Sequence, residues 1–130
     1  MQDYGRRLGL HDEVIWLEKI NDVLLAELYS AALMTIVPSF QEGFGLPVIE
    51  SMACGTPVVC SQAASLPEVA GDAALFFPPH SCEQLTDNIE RLMDSTATRE
   101  MLVAAGLARS SLFSQQRFGE LQAAAIHQLL

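Results

Sequence analysis

Two glutamates, Glu42 and Glu50, stand at the ends of the stretch EGFGLPVIE, which also holds two glycines and a proline. A glycine turn that leads into a helix presents free backbone N–H groups and the positive end of the helix dipole, so it can bind an anion. Carboxylates beside that anion would repel it unless they bind another part of the ligand, such as sugar hydroxyls. The stretch therefore indicates a ligand that carries an anionic group and hydroxyl groups together.

The backbone of the turn supplies the anion-binding groups in this interpretation. The N–H groups of Phe44, Gly45 and Leu46 can approach an oxygen closely. They can do so because Gly43 and Gly45 have no side chains to obstruct the approach. The simple phosphate motifs are excluded, since a dinucleotide fingerprint needs glycine at Val48 and a Walker loop needs a lysine that the stretch lacks.

The two carboxylates fit a nucleotide sugar, which offers hydroxyls on both sides of its diphosphate. A carboxylate can accept two hydroxyls at once, so Glu42 could hold the transferred sugar and Glu50 the ribose diol. Two simpler interpretations stay open on the residues alone. Glu50 could only complement the helix dipole, a contribution of roughly 0.3–1 kcal/mol, and Glu42 could be a solvated loop acid.

The charge distribution limits the partners of the chain. The 130 residues carry a formal net charge of −9, and no Lys or Arg occurs from residue 20 to residue 90. This balance argues against nucleic acid and anionic lipid surfaces as partners. An anionic ligand bound in the cation-free interval must be held by backbone N–H groups or by cations brought from elsewhere.

The remaining composition predicts a reduced, globular, cytoplasmic chain. Half of the residues are hydrophobic, the mean hydropathy is +0.25, and three cysteines lack a CxxC spacing. Cys54 and Cys60 are expected to be small buried residues. No apolar run reaches the ~18 residues of a membrane span and no signal peptide is recognisable, so no transmembrane segment is expected. The scattered histidines predict no metal site.

The elements that must position the motif are short apolar runs separated by helical patterns. The runs predicted as buried strands are 14–17, 34–37, 57–60 and 74–77. Such continuous apolar strands are typical of a parallel sheet covered on both faces, so the prediction is one α/β domain over residues 1–130, with Trp16 in its core. The motif joins the second strand to a helix beginning near Pro47, at the sheet edge where such folds bind ligands.

Capping residues predict the other helices. Asn21 or Asp22 caps a helix with an apolar face, and Ser81 caps a later one. The chain between the third and fourth strands is expected to be a loop with one helical turn. Another helix is expected near 98–108, and a last one from about Gln116.

The longer stretch EGFGLPVIESMACGTPVV resembles the E-x7-E signature of retaining glycosyltransferases of the GT-B fold, in the GT4-like group 1 family. The flanking stretches LAELYSAALMTIVPSFQ and LPEVAGDAALFFPP agree with that family, and the resemblance covers nearly the whole chain. It implies a Rossmann-like parallel sheet with flanking helices, as a partial C-terminal domain of a GT-B fold. The single, truncated domain would bind the nucleotide sugar.

The resemblance also implies a reaction and a role for each site residue. The reaction is transfer of a hexosyl group from a nucleotide-diphosphate sugar to an acceptor with retention of configuration, without a metal or another cofactor. Glu42 is similar to the catalytic acid that contacts the donor sugar, and the backbone of Gly43, Phe44, Gly45 and Leu46 to the part that binds sugar and diphosphate. Glu50 corresponds to the ribose-binding acid, and Ile20 to an apolar position that touches the base.

The sequence departs from the family pattern at three places. Glu18 stands where a glycine near the base pocket is usual, Ala63-Ala64-Ser65 where a glycine pair precedes PE, and Gln115 where a tryptophan follows FS. The first two departures concern the loops on the donor side.

The resemblance further implies missing partners. The N-terminal acceptor domain and the first donor-domain strands, which carry the diphosphate-binding Arg and Lys, are not recognisable in the chain. A fragment of this kind is expected to be inactive alone, and the full-length enzyme to be cytoplasmic or peripheral at the inner membrane face. The alternative hypothesis is a non-catalytic GT-B-like interaction module that self-associates or pairs with another chain. A weaker alternative is a phosphorylase-like or epimerase-like relative of the same architecture.

Overall fold

A computed structural model describes residues 2–10 and 12–113 and contains a three-stranded sheet flanked by helices. In chain order the elements are α1 (Gln2–Arg7), α2 (Asp22–Ala31), β1 (Thr35–Val37), α3 (Leu46–Ala53), β2 (Val58–Ser61), α4 (Leu66–Ala70), β3 (Ala74–Phe77), α5 (Cys82–Asp94) and α6 (Thr96–Ser111). The α/β class predicted from the sequence is confirmed.

The sheet is parallel, with β2 between β1 and β3. The pairing of β1 with β2 runs from Thr35↔Val58 to Val37↔Cys60. On its other side β2 pairs with β3 along its whole length, up to Ser61. Each crossover between these strands contains a helix, as parallel neighbours require.

The core lies on both faces of β2, because alternate side chains of a strand point to opposite faces. Val58 and Cys60 belong to a cluster with residues of α3 and α4, whereas Val59 packs with residues of β3, α5 and α6. All three side chains are fully buried. Burial raises the pKa of the Cys60 thiol to about 12, so this cysteine is a protonated core residue, as predicted.

Helix α3, which carries Glu50, packs against α6. A Cβ placed on Gly106 of α6 would lie 3.1 Å from the Cγ atom of Met52, so glycine lets the two helices approach closely. Met52 is itself almost completely buried. The helix at the motif therefore rests on the packed core.

The prediction of a strand at residues 14–17 is wrong. This segment has no regular secondary structure, and Ile15 is 82% exposed. Trp16, predicted in the core, is 44% exposed and lies beside α1, where a Cβ on Gly5 would be 3.8 Å from its ring. An apolar run becomes a buried strand only when a neighbouring strand pairs with its backbone, and among the described residues none does.

The capping predictions are confirmed where they concern local hydrogen bonds. The Asn21 side chain accepts a hydrogen bond from the N–H of Leu24 at 2.8 Å, and the Ser81 hydroxyl accepts one from the N–H of Gln84 at 3.2 Å. Helix α6 begins at Thr96, two residues before the predicted start, because Ser95 caps it.

Burial beyond the core differs from expectation in two places. Cys54, predicted to be buried, is only half-buried at the end of α3. Helix α2 has no buried residue, although an apolar face was predicted. The helix predicted from Gln116 lies outside the described residues. None of the described helices combines the length and the apolar character needed to cross a membrane.

Candidate functional site

The glycine turn lies between the carboxyl end of β1 and the start of α3. Gly45, the residue before α3, has φ +81° and ψ +38°, a left-handed conformation. A Cβ at this position would lie 2.9 Å from Cδ2 of the fully buried Leu66. Gly43 differs, because no atom lies within 4 Å of the place where its Cβ would be. The fold therefore requires glycine at 45, whereas the space beside Gly43 is open.

The backbone N–H groups of the turn precede the first hydrogen bonds of α3. The first amides of α3 to bond internally are those of Val48 and Ile49, which both donate to the carbonyl of Gly45. Within residues 2–10 and 12–113, no acceptor takes the N–H of Phe44, Gly45 or Leu46. These amides stand where the positive end of the helix dipole adds to their potential.

Glu42 is half-buried beside this turn and is held through its side chain. The Ser39 hydroxyl donates a hydrogen bond to Oε2 of Glu42 at 2.8 Å. The hydroxyl of Ser61, at the end of β2, donates in turn to the backbone carbonyl of Ser39. Glu42 thus has one side-chain contact within its own loop, and that loop is bonded to β2.

Glu50 lies one and a half turns into α3, on the side that faces α2. It is not in the first turn of the helix, so complementing the dipole does not account for it. The Tyr29 hydroxyl donates to Oε2 of Glu50 at 3.3 Å. Burial, and then the negative charge of Glu50, raise the pKa of Tyr29 to about 12, so the phenol stays a donor at neutral pH.

A cavity of about 250 Å³ opens between α2 and α3 in front of Glu50. Its lining combines two carboxylates, a phenol and small or apolar side chains: Asp22, Leu25, Ala26, Tyr29, Glu50, Ala53 and Cys54. Such a lining provides hydrogen-bond acceptors for hydroxyl groups beside an apolar wall.

One hydrogen bond joins α3 to β1, and another joins α2 to the segment between α3 and β2. The Ser51 hydroxyl donates to Oγ1 of Thr35 at 2.8 Å. The Thr56 hydroxyl donates to the backbone carbonyl of Tyr29, in the last turn of α2. The helix of Glu50 is thus bonded to β1, and the helix of Tyr29 to the chain that leads into β2.

One cation reaches the neighbourhood of the turn from outside the cation-free interval. The guanidinium of Arg109 donates to the carbonyl of Val69 at 2.9 Å and to that of Glu68. It also stands 5.4 Å from the centre of the Phe113 ring, which meets the edge of Phe44 with 5.9 Å between ring centres. Two of its donor groups are therefore already bonded to carbonyls at the end of α4.

Ile20, the predicted base contact, is half-buried and lies directly before the cap of α2. Its neighbour Lys19 has φ +53°, a left-handed conformation that side chains rarely adopt. Ala64 has φ +49° in the loop after β2. These two left-handed residues thus lie at or next to the two places where the sequence lacks a glycine that the family pattern has.

Sequence reasoning did not identify the residues that hold the two acids. Tyr29 contacts Glu50 across the fold, and Ser39 contacts Glu42 within the loop. Ser61 contacts the carbonyl of Ser39 across the fold. Only Ser39 had a local signal, since it stands three residues before Glu42 in the same loop. The contacts of the other two span 21 and 22 residues, beyond any short motif.

The chain matches the family "Glycosyl transferases group 1" over residues 2–109. It is similar to O-antigen chain mannosyltransferase B of Escherichia coli, with 40% identity over 120 residues, covering 82% of this chain and 32% of that protein. Its structure resembles a sucrose-phosphate synthase from Thermosynechococcus elongatus, with a TM-score of 0.88 and 32% identity over 98% of this chain and 33% of that one.

A second solved structure indicates which domain of such proteins this chain resembles. The chain resembles the C-terminal domain of a glycosyl transferase group 1 family protein from Francisella tularensis, with a TM-score of 0.72 and 25% identity, covering 84% of this chain and 57% of that one. The chain spans about a third of the length of the mannosyltransferase and the synthase. Its parallel sheet and flanking helices match the Rossmann-like C-terminal domain of the GT-B fold, and the chain belongs to the Glycosyl transferases group 1 family.

Proposed function

We propose that this chain is the donor-binding part of a retaining hexosyltransferase that uses a nucleotide-diphosphate sugar. The observation that carries the proposal is the arrangement around the turn. Glu42 and Glu50 flank three backbone amides that no acceptor takes in the described part of the chain, and each acid is held by a hydroxyl group. A ligand with hydroxyls on both sides of an anionic centre fits this pattern.

Glu42 is the acid proposed to contact the donor sugar. As the bond between the sugar and the diphosphate breaks, the sugar gains oxocarbenium character, which a nearby carboxylate stabilises. The amides of Phe44, Gly45 and Leu46 face the opposite charge, which develops on the leaving diphosphate. The open space beside Gly43 lets the ligand approach the backbone.

Glu50 is the acid proposed to accept the ribose hydroxyls, from the cavity that it shares with Tyr29. The phenol occupies one carboxylate oxygen and leaves the other for the ligand. Ile20, at the start of α2, is proposed to contact the base. No step in this scheme requires a metal ion.

The positive charge that balances the diphosphate must come from outside the described residues. Two donor groups of Arg109 serve backbone carbonyls, so the diphosphate needs cations from another part of the whole protein. We propose that this part also provides the acceptor site, in the cytoplasm. The mannosyltransferase among the relatives makes mannose a reasonable first donor to examine.

Isothermal titration with UDP-, GDP- and ADP-sugars, and with the matching free diphosphates, tests the proposal. Glu50→Gln should weaken the sugar nucleotide and the free nucleotide equally, by about tenfold or more, because charge-assisted hydrogen bonds to ribose are lost. Glu90→Gln, on the exposed side of α5, is the matched control. Binding that Glu50→Gln leaves unchanged would contradict the ribose assignment.

A non-catalytic interaction module is the second candidate, and the N-terminal region favours it. In the described chain β1 pairs with β2 only, so its other edge has free backbone groups. Helix α2 has no buried residue, and Val23 on it is 70% exposed. Light scattering over a range of concentrations distinguishes the candidates, because a chain that stays monomeric at high concentration would contradict self-association.

A further inference from the structure

The loop that carries Glu42 is attached to the sheet just where the backbone ladder between β1 and β2 ends. The last pair of that ladder is Val37↔Cys60. The residues that follow β1 are Pro38 and Ser39. The next residue along β2 is Ser61, and its hydroxyl donates to the carbonyl of Ser39. A side-chain hydrogen bond from β2 thus holds the chain just beyond the end of β1.

Ser61 is a rigid donor for this purpose. The residue is completely buried and belongs to the central strand, which is paired on both sides. A buried hydroxyl that lost its acceptor would be left unsatisfied, which favours one orientation of the Ser39 carbonyl. The position of Ser39 is therefore determined by the core of the sheet.

Ser39 transmits that position to Glu42. Its backbone carbonyl accepts from Ser61, while its hydroxyl donates to Oε2 of Glu42 at 2.8 Å. The bond holds the carboxylate in one orientation and leaves Oε1 free. A side chain that is already ordered loses less conformational entropy when a ligand binds.

We infer that Ser39 is a positioning residue, which orients the Glu42 carboxylate for the donor sugar, and that Ser61 sets Ser39 from the neighbouring strand. This inference rests on the proposed function, in which Glu42 contacts the sugar. Ser39 does not itself contact the ligand in this arrangement. Its contribution should therefore appear only for ligands that carry the sugar.

A merely structural role for Ser39 makes a different prediction. If its hydroxyl only stabilised the loop, its loss would weaken the nucleotide sugar and the free nucleoside diphosphate alike, because both would use the amides of that loop. The ratio of the two affinities therefore separates positioning from loop stability. This ratio does not change when a variant simply contains a smaller folded fraction.

The experiment measures both affinities by isothermal titration for the wild type, Ser39→Ala, Ser39→Thr and Glu42→Gln. We expect Ser39→Ala to weaken the nucleotide sugar by about tenfold, the typical effect of a hydrogen bond to a charged group, and to leave the free diphosphate unchanged. Ser39→Thr keeps the hydroxyl and should recover most of the affinity. Ser111→Ala removes a hydroxyl that donates only within α6, to the carbonyl of Ala108, and is the matched control.

Coupling with Glu42 supplies a second criterion. In the Glu42→Gln background, Ser39→Ala should add little further loss, because the two changes remove one interaction. The carbon NMR signal of the Glu42 carboxyl group should also shift in Ser39→Ala and not in Ser111→Ala, whether or not a ligand is present.

The outcomes separate the inference from the proposed function. If Glu42→Gln weakens the nucleotide sugar but Ser39→Ala does not, the positioning role is wrong and the proposed function stands. If Glu42→Gln changes neither affinity, the proposed sugar contact is wrong. A carboxyl signal that is unchanged in Ser39→Ala would refute the Ser39–Glu42 contact itself, independently of any binding.

Discussion

Glu42 and Glu50 flank the same glycine turn, yet different regions of the chain hold them. The contacts of Glu42 lead through Ser39 to Ser61 in β2, a strand whose four residues are all buried. The contact of Glu50 leads to Tyr29 in α2, a helix without a buried residue. Although Glu50 lies on the core-packed helix α3, its side chain is held by a residue of a surface helix, whereas the side chain of Glu42 is held through a core strand.

This difference indicates which acid is the more easily displaced. Strand β2 is buried on both faces among the described residues, so the Ser61 end of the contacts to Glu42 is fixed by the core. The last turn of helix α2 accepts a hydrogen bond from Thr56, at the carbonyl of Tyr29. We therefore expect the Glu50 side to be the more easily disturbed, because few packed contacts resist its movement.

The largest expected effect tests the core side of this comparison. Gly45→Ala should lower the free energy of unfolding by about 2–4 kcal/mol, because alanine is strained at φ +81° and its Cβ would overlap Leu66. Gly43→Ala is the control and should change stability little, since nothing lies near its Cβ. Chemical denaturation measures both variants, and equal losses would show that the turn is not held by the core.

An intermediate effect is expected on the Glu50 side at high pH. The folded protein raises the pKa of Tyr29 to about 12, from about 10 in an unfolded chain. Below pH 10 both states keep the proton, so this stabilising contribution is fully present. Between pH 10 and 12 the unfolded state loses its proton first, and stability falls as the pH rises.

The measurement compares the pH dependence of unfolding in the wild type and Tyr29→Phe. The variant should show a smaller decline between pH 10 and 12, and the decline that remains includes the contribution of the buried Cys60 thiol. In a Tyr4→Phe protein, where Tyr29 is the only tyrosine, its absorbance should titrate near pH 12. A midpoint near pH 10 would show that packing against α3 does not shield the phenol.

The smallest expected effect concerns two residues with left-handed backbone conformations, one next to β2 and one next to α2. Ala64 follows β2 and Lys19 precedes α2, with φ values of +49° and +53°. Replacing either with glycine should stabilise the protein by about 0.5 kcal/mol, because relief of roughly 1–2 kcal/mol of strain exceeds the entropy cost of glycine. Thermal unfolding of Ala64→Gly and Lys19→Gly measures the gain, and a loss in either would mean that its loop relaxes in solution.

The parts of the fold that were predicted correctly depend on near neighbours in the chain. The caps at Asn21 and Ser81 involve residues three apart, and β2 is an uninterrupted apolar run between glycine and polar residues. The strand predicted at 14–17 has the same local pattern as β2 but is exposed. Apolar character alone did not separate these segments, because burial depends on a neighbouring strand that is distant in sequence.

The candidate site shows the same division. The type, order and spacing of Glu42, Glu50 and the two glycines are sequence properties, and they indicated the chemistry and the edge of the sheet. The different demands on Gly43 and Gly45 appeared only when Leu66 was seen beside one of them. The sequence also did not indicate which amide N–H groups stay without an acceptor, because that depends on the hydrogen bonds that the neighbouring residues form.

The sequence by itself determined the α/β class, the capped helices and the motif that points to a nucleotide sugar, because these depend on short-range patterns of apolar, capping and glycine residues. Only the tertiary structure decided that Ser61 and Tyr29 hold the site and that residues 14–17 lie outside the core. A hydrogen bond between residues more than twenty positions apart forms when packing brings them together. That packing is a property of the whole fold and not of either local stretch.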